Sequence, residues 1–99
     1  MKFEIPESIE VGGTYINIEL VDRLENNRLG QCILASGKIQ IAQKFDKDYV
    51  QTESSKINTF FHELTHVILD TMGESELSQN EKFVSCFSSF LAEAIRNSK

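Results

Sequence analysis

The sequence predicts an α+β fold in one domain over residues 1–99: an N-terminal antiparallel β-meander of about four strands, packed on a central helix and a C-terminal helix. Three observations lead there. β-Branched segments separated by glycines fill the first half of the chain. From Glu53 onward the apolar residues instead recur at three- and four-residue steps. The chain has 99 residues, enough for one modest core and too few for two lobes.

The elements follow in order. SIEV (residues 8–11) and TYINIELVD (14–22) flank Gly12 and Gly13, a pair suited to a tight hairpin turn. In the second segment Ile16, Ile18 and Leu20 share one face. Pro6 precedes both and is expected to end regular pairing at the N-terminus, because proline cannot donate to a ladder. A polar break, RLENNR, leads to LGQCILAS and KIQIAQ, which flank Gly37 as a second hairpin with Ile33, Ile39 and Ile41 as candidate core positions. Next, Ile57, Phe60, Phe61, Leu64, Val67, Ile68 and Met72 form one stripe of an amphipathic helix. Ser54 or Ser55 is expected to cap its start, and Gly73 fits the left-handed position that closes it. GESELSQN then reads as a turn. The last helix carries Phe83, Val84, Phe87, Phe90, Leu91, Ala94 and Ile95 on one face, with Ser78 or Asn80 at its cap.

Composition narrows the function. Apolar residues make up 40% and charged residues 25%, which fits a folded soluble domain and is too apolar for disorder. The net charge of -5, with no Lys/Arg run, disfavours a nucleic-acid or anionic-membrane surface. MKFEIPESIE lacks the apolar core of a signal peptide, and no apolar stretch approaches the roughly 20 residues of a membrane span, so a cytoplasmic location is expected. Cys32 and Cys86 match no CxxC spacing and are read as buried, reduced thiols.

The chemistry concentrates in FFHELTHVILD, residues 60–70. At about 100° per residue, His62 and His66 share a helix face nearly opposite the apolar stripe, so packing does not explain them. A histidine pair at i and i+4 brings two imidazole nitrogens to one ion, and the intervening Glu63 flanks that ion without having to bind it. This is the HExxH arrangement, and it points to zinc. A catalytic zinc needs a third protein ligand, leaving one position for water. Asp70 lies about 12 Å along the axis from His62 and is better suited to orienting the ring of His66. Glu74, Glu76 and Glu81 are the acidic alternatives, with Glu81 ranked first because it opens the next helix off its apolar stripe.

TFFHELTHVILDTMGESELSQNEKFVSCFSSFL, about a third of the chain, resembles the small phage- and prophage-encoded zincin-like proteins related to the ImmA/IrrE metallopeptidases. The resemblance implies a minimal zincin-like fold, His62, His66 and Glu81 as zinc ligands, and Glu63 as general acid/base. It also implies hydrolysis of a peptide bond in a protein or peptide substrate, zinc activating a water whose proton Glu63 takes. Tyr49 is the nearest candidate by sequence for an oxyanion donor, and GKIQIAQ the expected sheet edge for an added substrate strand. Two alternatives stand beside this: a non-catalytic binding module of the same scaffold that acts on a host or phage protein by contact, and a structural zinc domain closed by Glu74 or Glu76.

Overall fold

Glycine turns set both hairpins of the sheet. In the computed structural model, which describes residues 3–98, Gly12 and Gly13 adopt φ of 58° and 83°, conformations that cost glycine little. They join β1 (Ser8–Val11) to β2 (Thr14–Val21) in antiparallel pairing. Gly37, at φ 63°, does the same between β3 (Gly30–Ile33) and β4 (Lys38–Ala42).

The four strands nonetheless depart from a meander. β4 rather than β3 pairs with β2, and the pairing is parallel, so the sheet is mixed with the order β1-β2-β4-β3. The polar stretch after β2, turning through Asn26 and Asn27 in the left-handed region, carries the chain past that neighbouring position. Burial explains the choice. Ile39 and Ile41 are fully buried, and a central strand can cover them against Ile16 and Ile18 of β2, as an edge strand could not. GKIQIAQ is therefore interior, and β3 is a free edge. A two-stranded hairpin of β5 (Lys44–Phe45) and β6 (Tyr49–Val50) leads on to the helices.

The central helix, α1, runs Glu53–Thr71. Thr52 caps it, its side chain accepting from the Ser55 amide at 3.1 Å, while Ser54 and Ser55 lie inside the first turn. Gly73, at φ 81°, follows its end. The segment expected to be a turn contains a single helical turn, α2 (Ser75–Ser78), before α3 (Glu81–Arg96), which Asn80 caps by accepting from the Phe83 amide.

Ile57, Phe60, Phe61, Leu64 and Val67 of α1 pack against Ile16, Ile39 and Ile41 of the sheet. Because the sheet and α3 both contact α1, burial extends beyond one stripe to Thr59, Glu63, Thr65 and Leu69, while Ile68 and Met72 near its C-terminal end are exposed. Gln51 ties the start of α1 to the sheet: its amide donates to the Ala42 carbonyl at 2.6 Å and its oxygen accepts from the Ser55 and Thr59 hydroxyls. On α3 the buried residues are Val84, Ser88 and Ala92, not the phenylalanines. Small side chains at successive turns let the two helix backbones approach, and this closeness outweighs the larger area of Phe87 and Phe90, which stay 47% and 72% exposed. Cys86 is likewise exposed rather than buried, and both thiols are free. Among the described residues no helix is long and apolar enough to cross a membrane.

Gly30 marks where β3 meets α1. A β-carbon there would lie 2.4 Å from Thr59 Cγ2, 3.2 Å from the Gln40 carbonyl oxygen and 3.3 Å from Glu63 Cγ. Gly30→Ala should therefore destabilise the fold by about 1–3 kcal/mol, since a buried threonine must move to admit the methyl. Urea unfolding measures this, and an unchanged midpoint would mean that strand and helix do not touch there.

Candidate metal centre

The order of burial on α1 decides how HExxH is displayed. Leu64 and Thr65 are buried, which turns His62 and His66 into the open notch between α1 and the start of α3. Their rings lie edge to face with centroids 5.0 Å apart. The left-handed Gly73, the single turn of α2 and the Asn80 cap fold the chain back, so that the first residue of α3, Glu81, arrives above the pair. One Glu81 oxygen lies 3.3 Å from His62 Nε2 and the other 3.3 Å from His66 Nε2.

These three side chains offer donor atoms all within 4.8 Å of one another, and no fourth His, Cys, Asp or Glu joins the group among the described residues. The spacing suits a small cation. Two donors each about 2.0–2.1 Å from a tetrahedral ion stand roughly 3.3 Å apart. The chemistry suits it too, with two neutral-capable imidazoles and one carboxylate. Burial holds the pKa of His62 below its ordinary value, against the opposing pull of Glu81, and so favours the unprotonated ring that a metal requires. For His66 the orientation comes from Ser78 at the end of α2, whose buried hydroxyl lies 3.0 Å from Nδ1. With Nδ1–H donating to that oxygen, the lone pair is left on Nε2, facing Glu81.

Glu63 is buried on the neighbouring flank of α1, facing β3. Burial raises its pKa, and the neighbouring His66, Cys32 and Arg28 pull it back only in part. Cys32 itself is pushed up to about 11, first by burial and then by the nearby Glu63 and Asp70 charges, so it stays a neutral thiol donor. A cleft of about 400 Å³ opens beside His62 and Glu63, walled by Leu29 and Gly30 on the strand side and by Ser85 and Ser89 of α3 on the other.

His62, Glu63, His66 and Glu81 are thus brought to one place, and other residues singled out by sequence are not. Asp70 is exposed, and Ser78 occupies the position beside the His66 ring instead. Glu74 and Glu76 are exposed and outside the group. Tyr49 projects into solvent against Phe45, away from the cleft. Sequence alone overlooked Ser78 except as a possible cap, and it gave no signal that Cys32 or Gly30 would meet Glu63 across the β3–α1 contact. Compared with known proteins, the chain matches no family model, no curated protein and no solved structure.

Proposed function

We propose that this chain is a zinc-dependent peptidase of minimal zincin-like architecture, with His62, His66 and Glu81 as the metal ligands and Glu63 as the general base. The observation that carries the proposal is the convergence of three donors within 4.8 Å beside a buried, flanking glutamate. Absence of a fourth protein donor among the described residues favours an open, reactive coordination position over a closed structural site.

Bound zinc would supply Lewis-acid polarisation of a carbonyl and a lowered pKa for water. The chain's own groups do the rest. Glu63 accepts a proton from the attacking water and delivers it to the leaving amine. Cys32, a neutral thiol on β3, lies beside this carboxylate. Ser78 fixes the His66 ring. The free edge of β3 borders the cleft, so an extended substrate can add there as a further strand.

Tag-free protein should contain one equivalent of zinc per chain by elemental analysis. It should also cleave a peptide library in a manner abolished by chelation and restored by zinc. Protein that takes up no added zinc would end the proposal.

A further inference from the structure

The cleft beside Glu63 contains a cation whose role the peptidase chemistry leaves open. Arg28, just before β3, lines this cleft. Arg23, Lys38, Lys44 and Lys56 each have a carboxylate partner, whereas Arg28, like Lys47, Lys82 and Arg96, forms no ion pair among the described residues, and of these four only Arg28 lines the cleft. In a chain of net charge -5, an unpaired guanidinium at a cleft mouth is a specific placement.

It is also held in position. Arg28 Nη1 donates to Gln31 Oε1 at 3.3 Å, Gln31 Nε2 to Gln40 Oε1 at 2.6 Å, and Gln40 Nε2 to Glu19 Oε1 at 3.0 Å. Gln31, Gln40 and Glu19 stand at facing positions on β3, β4 and β2, and Lys38 steadies Glu19 at 3.4 Å. A relay of side-chain amides across three strands therefore ends on Arg28 and orients it from behind. Of the five guanidinium N–H groups, the relay engages only one nitrogen.

We infer that Arg28 is a specificity residue that binds a carboxylate of the substrate, so that the cleft selects acidic peptides. A guanidinium fork matches the two oxygens of a planar carboxylate, and pre-orientation reduces the side-chain entropy lost on binding. A single charge is the right complement. A phosphate would bring a second negative charge into a cleft that already contains Glu63 and has no second Lys or Arg among the described residues of its lining. The Ser85 and Ser89 hydroxyls on the opposite wall can meet the peptide on its other side. The carboxylate can belong to an aspartate or glutamate side chain or to the C-terminus of a peptide.

This inference deepens the peptidase proposal and rests on it for the fate of the bound peptide, but binding can be tested without cleavage. The probe is a fluorescent hexapeptide library in which each position in turn is Asp or Asn, made with free and with amidated C-termini. Affinities are measured by anisotropy on the zinc-supplemented Glu63→Gln protein, and then with Arg28→Gln or Arg28→Lys added. At one position, or at the C-terminus, the carboxylate peptide should bind about 10- to 100-fold more tightly than its neutral counterpart. Arg28→Gln should erase that ratio while leaving the affinity for neutral peptides unchanged, and Arg28→Lys, which keeps the charge without the fork, should retain part of it. Equal binding of charged and neutral peptides, no binding at all, or selectivity that survives Arg28→Gln overturns the inference. The two proposals fail separately. Selectivity that depends on Arg28 in a protein that cleaves nothing upholds the carboxylate site and removes the peptidase, and cleavage without carboxylate preference does the reverse.

Discussion

Glu81→Ala should lower zinc affinity by more than about 100-fold, Ser78→Ala by about 10- to 100-fold, and Asp70→Ala not at all. The ranking follows from position. Glu81 supplies one of the three donors that converge among the described residues, and its carboxylate touches both imidazoles. Ser78 acts through the ring of His66, where loss of its hydroxyl frees the imidazole to rotate. Asp70 is exposed on α1, and its carboxylate lies outside the group of donors. The melting temperature gives a second readout. Zinc at 100 times its dissociation constant stabilises the folded state by about 2.7 kcal/mol, which for a domain of this size is roughly 10 °C or more. Glu81→Ala should lose that increment and yet melt close to wild type when both are chelated, since a pair whose carboxylate is exposed contributes little by itself. Isothermal titration with zinc decides the matter: an Asp70→Ala loss as large as that of Glu81→Ala would place the third ligand elsewhere.

Glu63→Gln should reduce peptide hydrolysis by about 10²- to 10⁴-fold while keeping one zinc per chain. The amide matches the carboxylate in volume, so the β3–α1 contact is preserved. Basicity is what it loses. The variant also relieves the cost of burying an ionisable carboxyl, so the fold should be at least as stable as wild type at neutral pH. Steady-state cleavage assays on matched zinc-loaded samples provide the check. Should the protein's biological effect survive this substitution intact, contact with a partner rather than cleavage becomes its mode of action.

Local sequence signals carried the helices and the donor set, because helical periodicity and i, i+4 spacing are properties of neighbouring residues. His62, Glu63 and His66 could be placed relative to one another from the geometry of one helix. Glu81 could be ranked because a turn followed by a capped helix start constrains its direction of approach. Contacts between distant segments were not legible. The parallel pairing of β2 with β4 is chosen by which strand buries its isoleucines best, a comparison no single segment displays. α3 misled for a related reason: Phe83, Phe87 and Phe90 dominate any measure of hydrophobicity, but closeness of approach to α1 selected Val84, Ser88 and Ala92. Asp70 fitted the helical series by angle. Ser78 won because α2, unforeseen, carries a hydroxyl back over the His66 ring.

The parallel register of β2 with β4 also sets an order of events as the chain folds. Asn17 must find Lys38 and Val21 must find Ala42 across an intervening crossover and hairpin, whereas His62, His66, Ser78 and Glu81 are gathered by one helical turn and its two flanking helices. Loop closure barely separates the two, since Asn17 and Lys38 stand 21 residues apart in the chain and His62 and Glu81 stand 19 apart; what favours early formation of the helical segment is that its hydrogen bonds are local and form faster than strand pairing. The three donors are then assembled before the strand wall made by Leu29 and Gly30. A refolding chain would gather its donors first, and the cleft beside Glu63 would close around them only as the parallel pairing of the sheet is completed.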